Sequence, residues 1–240
     1  MLRTAPVLRA VVFDMDGVIV DSHPAHKSAW REFLHAIGKE VRESDLEFVM
    51  DGRKREEILV HFLGQLDQSQ LRRYGNMKND FFCRATSEVL PIAGAFEFIK
   101  SLHREGIPIG VATSASGGRT EFTLRRLGLL HFFHTVVTGD EVPRGKPDPS
   151  IYRLACQRIN CAPETAVAVE DAASGVRAAK AAGLHCVAIG PVQREQSLLA
   201  AGADRIYEDF TLLTVQHLQS LVSRPGYLPC KPDRGSDSIE

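Results

Sequence analysis

The sequence predicts an α/β protein: a parallel sheet with helices on both faces, interrupted after its first strand by an all-helical insert. Three observations carry this. An apolar run ends in acids in VVFDMDGVIVDS (residues 11 to 22), residues 24 to about 88 show only helical spacing, and from about residue 90 strand-like and helical stretches alternate. Repeated strand-then-helix is the pattern of a sheet whose strands run parallel and whose crossover helices cover its faces.

In the first run only Arg9 interrupts the apolar residues from Leu8, so Val11, Val12 and Phe13 read as the end of a strand buried on both faces. If the chain stays extended beyond Phe13, Asp14 and Asp16 point one way and Met15 the other. Two carboxylates so placed repel each other, and a cation, a shared proton or exposure to water has to compensate. In the insert, Trp30, Phe33, Leu34 and Ile37 recur at helix spacing before Gly38, and SDLE at Ser44 to Glu47 has the form of a capping box. Ile58, Leu59, Phe62 and Leu63 then run into Gly64, an amphipathic helix with its stop. After LPIAG (Leu90 to Gly94), Ala95, Ile99 and Leu102 mark a helix ended by Gly106, and IPIGVAT (Ile107 to Thr113) reads as a strand. Further strands are expected at 134–138, 166–169, 185–189 and 205–207, with helices at 151–159 and 172–182. The expected division is residues 1–21 and 91–222 for an α/β core, 22–90 for the helical insert, and 223–240 for a loose tail rich in Pro, Gly and charge.

With 240 residues, 44% of them apolar, the chain can bury a sizeable core. Lys plus Arg (29) nearly cancel Asp plus Glu (30), which removes the basic excess expected of a protein that binds nucleic acid or anionic membranes. Five widely spaced cysteines contain no CxxC pair and read as reduced structural thiols. The first residues lack the form of a signal peptide and no stretch is long and apolar enough to span a bilayer, so a cytoplasmic protein is expected.

In open parallel sheets, ligands bind beyond the carboxyl ends of the strands. That is where Asp14 and Asp16, Thr113 and Ser114, Lys146, and Glu170 with Asp171 fall. Four acids, an ammonium group and hydroxyls gathered at one point have the chemistry to hold Mg²⁺ and a phosphoryl group together. Taken singly, each is ordinary: a solvated DxD turn, a surface lysine, acids in the first turn of a helix. An EF-hand fails, because Gly17 stands at loop position four rather than six and Ala25 stands where the last Glu belongs. A P-loop at GDEVPRGKP fails as well, with Pro147 where Ser or Thr is required.

Together, FDMDGVIVDS, VATSAS, RGKPDP and VEDAASG resemble the four ordered motifs of the haloacid dehalogenase superfamily, and the insert resembles that family's helical cap. The resemblance runs to about residue 222 and implies a Rossmann-like core. It implies that Asp14 is the nucleophile that becomes an aspartyl phosphate and that Asp16 is the general acid and base. Its implied Mg²⁺ ligands are the Asp14 carboxylate, the Asp16 backbone carbonyl and Asp171, with Glu170 beside them. Ser114 and Lys146 would bind phosphoryl oxygens, and Lys146 would also neutralise Asp14. The presence of Asp16 implies phosphate ester chemistry rather than dehalogenation.

Within the superfamily the chain is most similar to the β-phosphoglucomutase-like branch, which implies substrate contacts from His26, Gly52, Arg55 and Lys78, and from Ser116 in the core. Asp51 departs from the mutase pattern, which has a lysine there, and is expected to repel a distal phosphate. The activity so implied is Mg²⁺-dependent hydrolysis of a small phosphate ester, a sugar or polyol phosphate. A phosphomutase is the second reading and a non-catalytic binding module the third. The expected partner is that small molecule alone, with the protein a monomer or weak homodimer.

Overall fold

A computed structural model of the chain describes residues 7–85 and 90–223. The expected tail, apart from Ser223, and residues 86–89 near the expected end of the insert lie outside the described residues.

Among the described residues six strands form one parallel sheet: β1 (Ala10–Phe13), β2 (Ile109–Ala112), β3 (Thr135–Val137), β4 (Ala166–Glu170), β5 (His185–Ile189) and β6 (Arg205–Tyr207), in the spatial order β3-β2-β1-β4-β5-β6. The strands expected from the sequence are all present. The ends of β2 and β3 are trimmed by one to two residues, because residues such as Thr113 already turn into the loops beyond the sheet, while β5 and β6 have the expected bounds. β4 runs one residue longer than expected, to Glu170.

The pleat sorts residues by size. Val11 and Phe13 of β1, Val167 and Val169 of β4, and Val187 and Ile189 of β5 face one side; Ala10, Val12, Ala166, Ala168, Cys186 and Ala188 face the other. The bulky face is covered by α5 (Ala95–Arg104), α6 (Gly117–Arg126) and α10 (Val215–Val222), which contribute Phe98, Ile99, Leu102, Leu124 and Leu218. The small-residue face lets α7 (Ser150–Ile159) and α8 (Ala173–Ala182) approach closely, with α9 (Glu195–Ala200) beside them. Each fully buried large apolar side chain contributes about 1.5–3 kcal/mol, so both layers stabilise the sheet strongly.

Between β1 and β2 the chain forms α1 (His23–Ala36), α2 (Glu43–Val49), α3 (Arg55–Leu63) and α4 (Gln68–Ala85). These helices pack around their own cluster of Trp30, Phe33, Leu34, Leu46, Val49, Ile58 and Leu59. Gly64 ends α3 with φ +78°, as its sequence position suggests. The capping box falls elsewhere than expected: the Asp45 carboxylate accepts from the backbone N–H of Arg42 at 2.9 Å, so α2 starts at Glu43 and Ser44 lies inside it. Ser44 already lies in the first turn, where the cap is one residue before the helix and not on it.

The strand order reverses between β1 and β4, since the chain proceeds from β1 to β2 and β3 on one side and through β4, β5 and β6 on the other. Beyond such a switch point the loops diverge and leave a crevice. The loops after β1, β2, β3 and β4 converge there, under the helical insert.

Candidate active site

After Phe13 the chain does alternate. Met15 joins the hydrophobic core, while Asp14 and Asp16 both line a cavity of about 110 Å³. A single turn follows, with Ile19 N–H bonded to Met15 C=O at 2.9 Å and Gly17 N–H to Val20 C=O at 2.7 Å. Gly17 has φ +76°, and a Cβ there would lie 2.5 Å from an Asp171 oxygen, so only glycine lets this turn lie against the end of β4. Gly175 serves the neighbouring acid in the same way: a Cβ would lie 2.1 Å from the Glu170 carboxylate, which folds over the start of α8 and accepts from Asp171 N–H at 3.2 Å.

Asp14, Glu170 and Asp171 bring carboxylate oxygens within 4.8 Å of one another, all three buried. Lys146, 1% exposed, sits against two of them. Its ammonium donates to Asp14 Oδ1 at 2.7 Å, Glu170 Oε1 at 2.6 Å and the Ala112 carbonyl at 3.0 Å. An ammonium has three donors, and all are taken. Lys146 therefore neutralises Asp14 as expected, but a contact with a phosphoryl oxygen would have to replace one of these bonds. Tyr152, from α7, also donates to Glu170 Oε1. Burial foremost, against the pull of Lys146 and with Glu170, Asp171 and Asp16 adding, pushes the Asp14 carboxyl up to about 8. Lys146 faces both Asp14 and Glu170, and one positive charge does not balance these two buried acids. The remaining negative charge and the all-oxygen donor set fit a hard divalent cation. Asp171 Oδ2 is meanwhile paired with His23 Nε2 at 3.0 Å and Arg194 at 3.1 Å.

The Asp16 carboxylate lies outside the group of three acids that could hold a metal. Arg119 grips both of its oxygens, one at 2.9 Å, Ser22 Oγ donates to it at 2.6 Å, and His26 Nε2 lies 3.5 Å away. Burial would raise its pKa, but the Arg119 guanidinium holds it well below the usual carboxylate range. Arg119, His23, Arg194 and Tyr152 do not stand out in the sequence, because each reaches the site from a position whose meaning is set by a partner far along the chain; Ser22, six residues from Asp16, ends the first motif but carries no signal of its own.

From the insert, His26, Gly52, Arg55 and Lys78 line the cavity with Ser114 and Ser116 of the core. Lys78 Nζ lies 3.0 Å from His26 Nδ1, over the rings of Phe82 and Trp30. Burial and Lys78 press His26 down to about 3, and burial with Arg119 brings Lys78 down to about 7. A lysine whose folded pKa lies below its unfolded value near 10.5 costs stability when charged, and the cost disappears as pH rises between the two. Lys78→Met is accordingly expected to be more stable than wild type below pH 7, with the gap narrowing toward pH 10. Urea unfolding at stepped pH measures it, and a gap that does not change with pH would contradict the assignment.

Asp51 behaves differently from the sequence expectation. It does not line the cavity: its carboxylate accepts from Ser174 N–H at 3.0 Å, in the first turn of α8, and pairs with Arg53 at 3.3 Å. The Ser174 hydroxyl donates to the Asp51 carbonyl, and Ser114 Oγ donates to the Gly52 carbonyl at 2.7 Å. Lys54 donates to Val142 C=O at 2.5 Å, and Glu57 accepts from Gly145 N–H at 3.1 Å. Asp51 thus docks the insert onto the core, and its charge is met by a helix N-terminus and arginines rather than by substrate.

A carboxylate cluster with a buried lysine, set at the switch point of a parallel sheet beneath a helical insert, defines a class of α/β enzymes suited to a divalent cation. The model of the haloacid dehalogenase-like hydrolase family matches residues 8–183, and the chain belongs to that family. It is 35% identical over 214 residues to a phosphorylated carbohydrates phosphatase of Thermotoga maritima, covering 87% of this chain and 98% of the relative. It is 30% identical over 220 residues to the beta-phosphoglucomutase of Bacillus subtilis, covering 88% and 94%. Among solved structures, CbbY from Rhodobacter sphaeroides in complex with xylulose-(1,5)bisphosphate aligns with TM-score 0.77 at 28% identity, covering 88% of this chain and 99% of that one. Among the described residues no helix is long and apolar enough to cross a membrane.

Proposed function

We propose that this protein is a Mg²⁺-dependent phosphatase of small phosphorylated carbohydrates, working through an aspartyl phosphate on Asp14. The observation that carries the reading is the Asp14 carboxylate at the floor of a chamber of about 110 Å³, with Lys146 and two further acids against it. Asp14, Glu170 and Asp171 would hold Mg²⁺, which when bound offsets the charge of the acids and of the phosphoryl group. The helical insert, residues 22–90, acts as the cap that closes over the substrate.

In the first half-reaction an Asp14 oxygen bonds to phosphorus as the ester P–O bond breaks, and the departing oxygen takes a proton from Asp16. Arg119 has to loosen its hold for Asp16 to carry that proton. In the second half a water attacks phosphorus, its proton passes to Asp16, and the Asp14–phosphate bond breaks to release inorganic phosphate. Ser114 supplies a hydroxyl to a phosphoryl oxygen once it leaves Gly52. Lys146 favours the anion of Asp14 and aligns it, and Mg²⁺ would favour that anion further.

The phosphomutase reading is favoured by the Bacillus relative and by His26, Arg55 and Lys78 on the cavity wall. Against it, Arg55 is paired with Glu56 at 2.8 Å and Asp51 docks the cap instead of a lysine facing a distal phosphate. The experiment that decides is a phosphate-release screen over hexose, pentose and polyol monophosphates. Release is expected with Mg²⁺, none with EDTA, recovery on adding Mg²⁺ back, and none with Ca²⁺, whose larger, irregular shell misplaces the attacking carboxylate. Full release in EDTA would refute the reading, and stoichiometric conversion of β-glucose 1-phosphate to glucose 6-phosphate would make the mutase correct.

A further inference from the structure

The chamber lined by Asp14, of about 110 Å³, is small beside the ~300–1,000 Å³ of ligand pockets, so part of a larger substrate extends beyond it. A second cavity, of about 550 Å³, opens between α4 and α6 and shares Asp16, Arg55, Asn79, Ser116 and Arg119 with the first. Asp14 lines only the first cavity, whereas Asp16 lines both. In an in-line displacement the attacking and leaving oxygens stand on opposite sides of phosphorus. With Asp14 attacking and Asp16 serving the leaving oxygen, the alcohol of the ester is directed past Asp16 into the second cavity.

We propose that the α4–α6 cavity receives the alcohol part of the substrate and favours a two-ring, disaccharide-sized alcohol over a single sugar ring. The inference rests on the phosphatase reading above and adds the substrate class to it. The volume falls within the ~300–1,000 Å³ of pockets that enclose ligands larger than one sugar ring. Its lining is mixed: Phe82, Phe122 and Leu127 offer apolar faces, while Asn76, Asn79 and Thr123 offer amides and a hydroxyl. That combination suits the C–H faces and hydroxyl rims of sugar rings. Two of the cations on its wall are already engaged, Arg119 with Asp16 and Arg55 with Glu56, so much of the positive charge that would draw in a second phosphate is offset. Phe122 is 65% exposed on α6, an aromatic face at the cavity wall that core packing does not use.

Trehalose 6-phosphate and glucose 6-phosphate test this, since they share the reacting primary phosphate and its ring and differ in the second ring. The disaccharide ester is expected to have a kcat/KM about tenfold or more above the monosaccharide ester. Gly118→Trp places an indole where a Cβ at Gly118 meets nothing within 4 Å, and Phe122→Ala removes the exposed ring. Each should lower the ratio of the two kcat/KM values about fivefold or more. Equal kcat/KM for both sugars in the wild type, or a ratio unmoved by both variants, overturns the inference and leaves the phosphatase reading intact. A preference for naphthyl phosphate over both sugars also overturns it, by making the cavity an aryl site. No phosphate from either sugar ester, with release from another ester of the hexose, pentose and polyol screen, overturns the inference alone, whereas no release from any ester of that screen at saturating Mg²⁺ removes the phosphatase reading and the inference with it.

Discussion

Asp14→Asn is expected to lower turnover about 10⁴-fold or more while the protein stays folded. The amide keeps the shape of the carboxylate and one oxygen for the Lys146 ammonium, now 2.7 Å away, but it cannot attack phosphorus as an anion. The fold should not suffer. Asp14 is a buried acid whose pKa is pushed up to about 8 by burial, beside Glu170 and Asp171, so a neutral group relieves repulsion. The thermal midpoint in EDTA at pH 7 is therefore expected to stay level or rise. Steady-state phosphate release and a thermal melt of the same preparation read both halves. Turnover within tenfold of wild type would sink the nucleophile assignment, and a sharply lowered midpoint would show that the Asp14 charge holds the site together.

Lys146→Met should damage both stability and rate. Methionine fills a similar volume, yet it leaves Asp14 and Glu170 buried without the cation that bridges them at 2.7 and 2.6 Å. Removing one partner of a buried pair costs about 3–5 kcal/mol, which for a chain of this size lowers the melting temperature by roughly 6–20 °C. Turnover should fall about 10³-fold, as Asp14 loses the donor that favours its anion and aligns it. The double variant Lys146→Met/Glu170→Gln separates this from simple misfolding. With the second charge gone, part of the lost stability returns, while turnover stays low. A Lys146→Met protein as stable as wild type would mean that the acids are balanced by another group.

The strands and most of the candidate site were legible in the sequence because both rest on local pattern. A strand buried on both faces must be apolar throughout, so Val11, Val12 and Phe13 announce themselves, and acids directly after such a strand are conspicuous against it. Gly64 after an apolar helix marks its end for the same kind of local reason. The size sorting across the sheet, with Val and Ile on one face and Ala and Cys on the other, is present in the sequence but acquires meaning only when helices pack on each face.

The sequence by itself determined the α/β class, the order of the strands along the chain, and the residue types that gather beyond them: Asp14, Asp16, Ser114, Lys146, Glu170 and Asp171. Tertiary structure decided how most of those charges are compensated, and the Lys146–Asp14 pair is foreseen through the resemblance of whole motifs and not through local pattern. Arg119 lies 103 residues from Asp16 and Lys146 lies 132 from Asp14, and no local spacing encodes either pair. The same holds for Asp51. Read beside Gly52 and Arg55 it stands as a charge that would repel phosphate, whereas Ser174, 123 residues away, turns it into a dock between cap and core. Hydrophobic periodicity is a property of neighbours in the chain, but the energy of a charge depends on what surrounds it in space, and only folding brings those surroundings together.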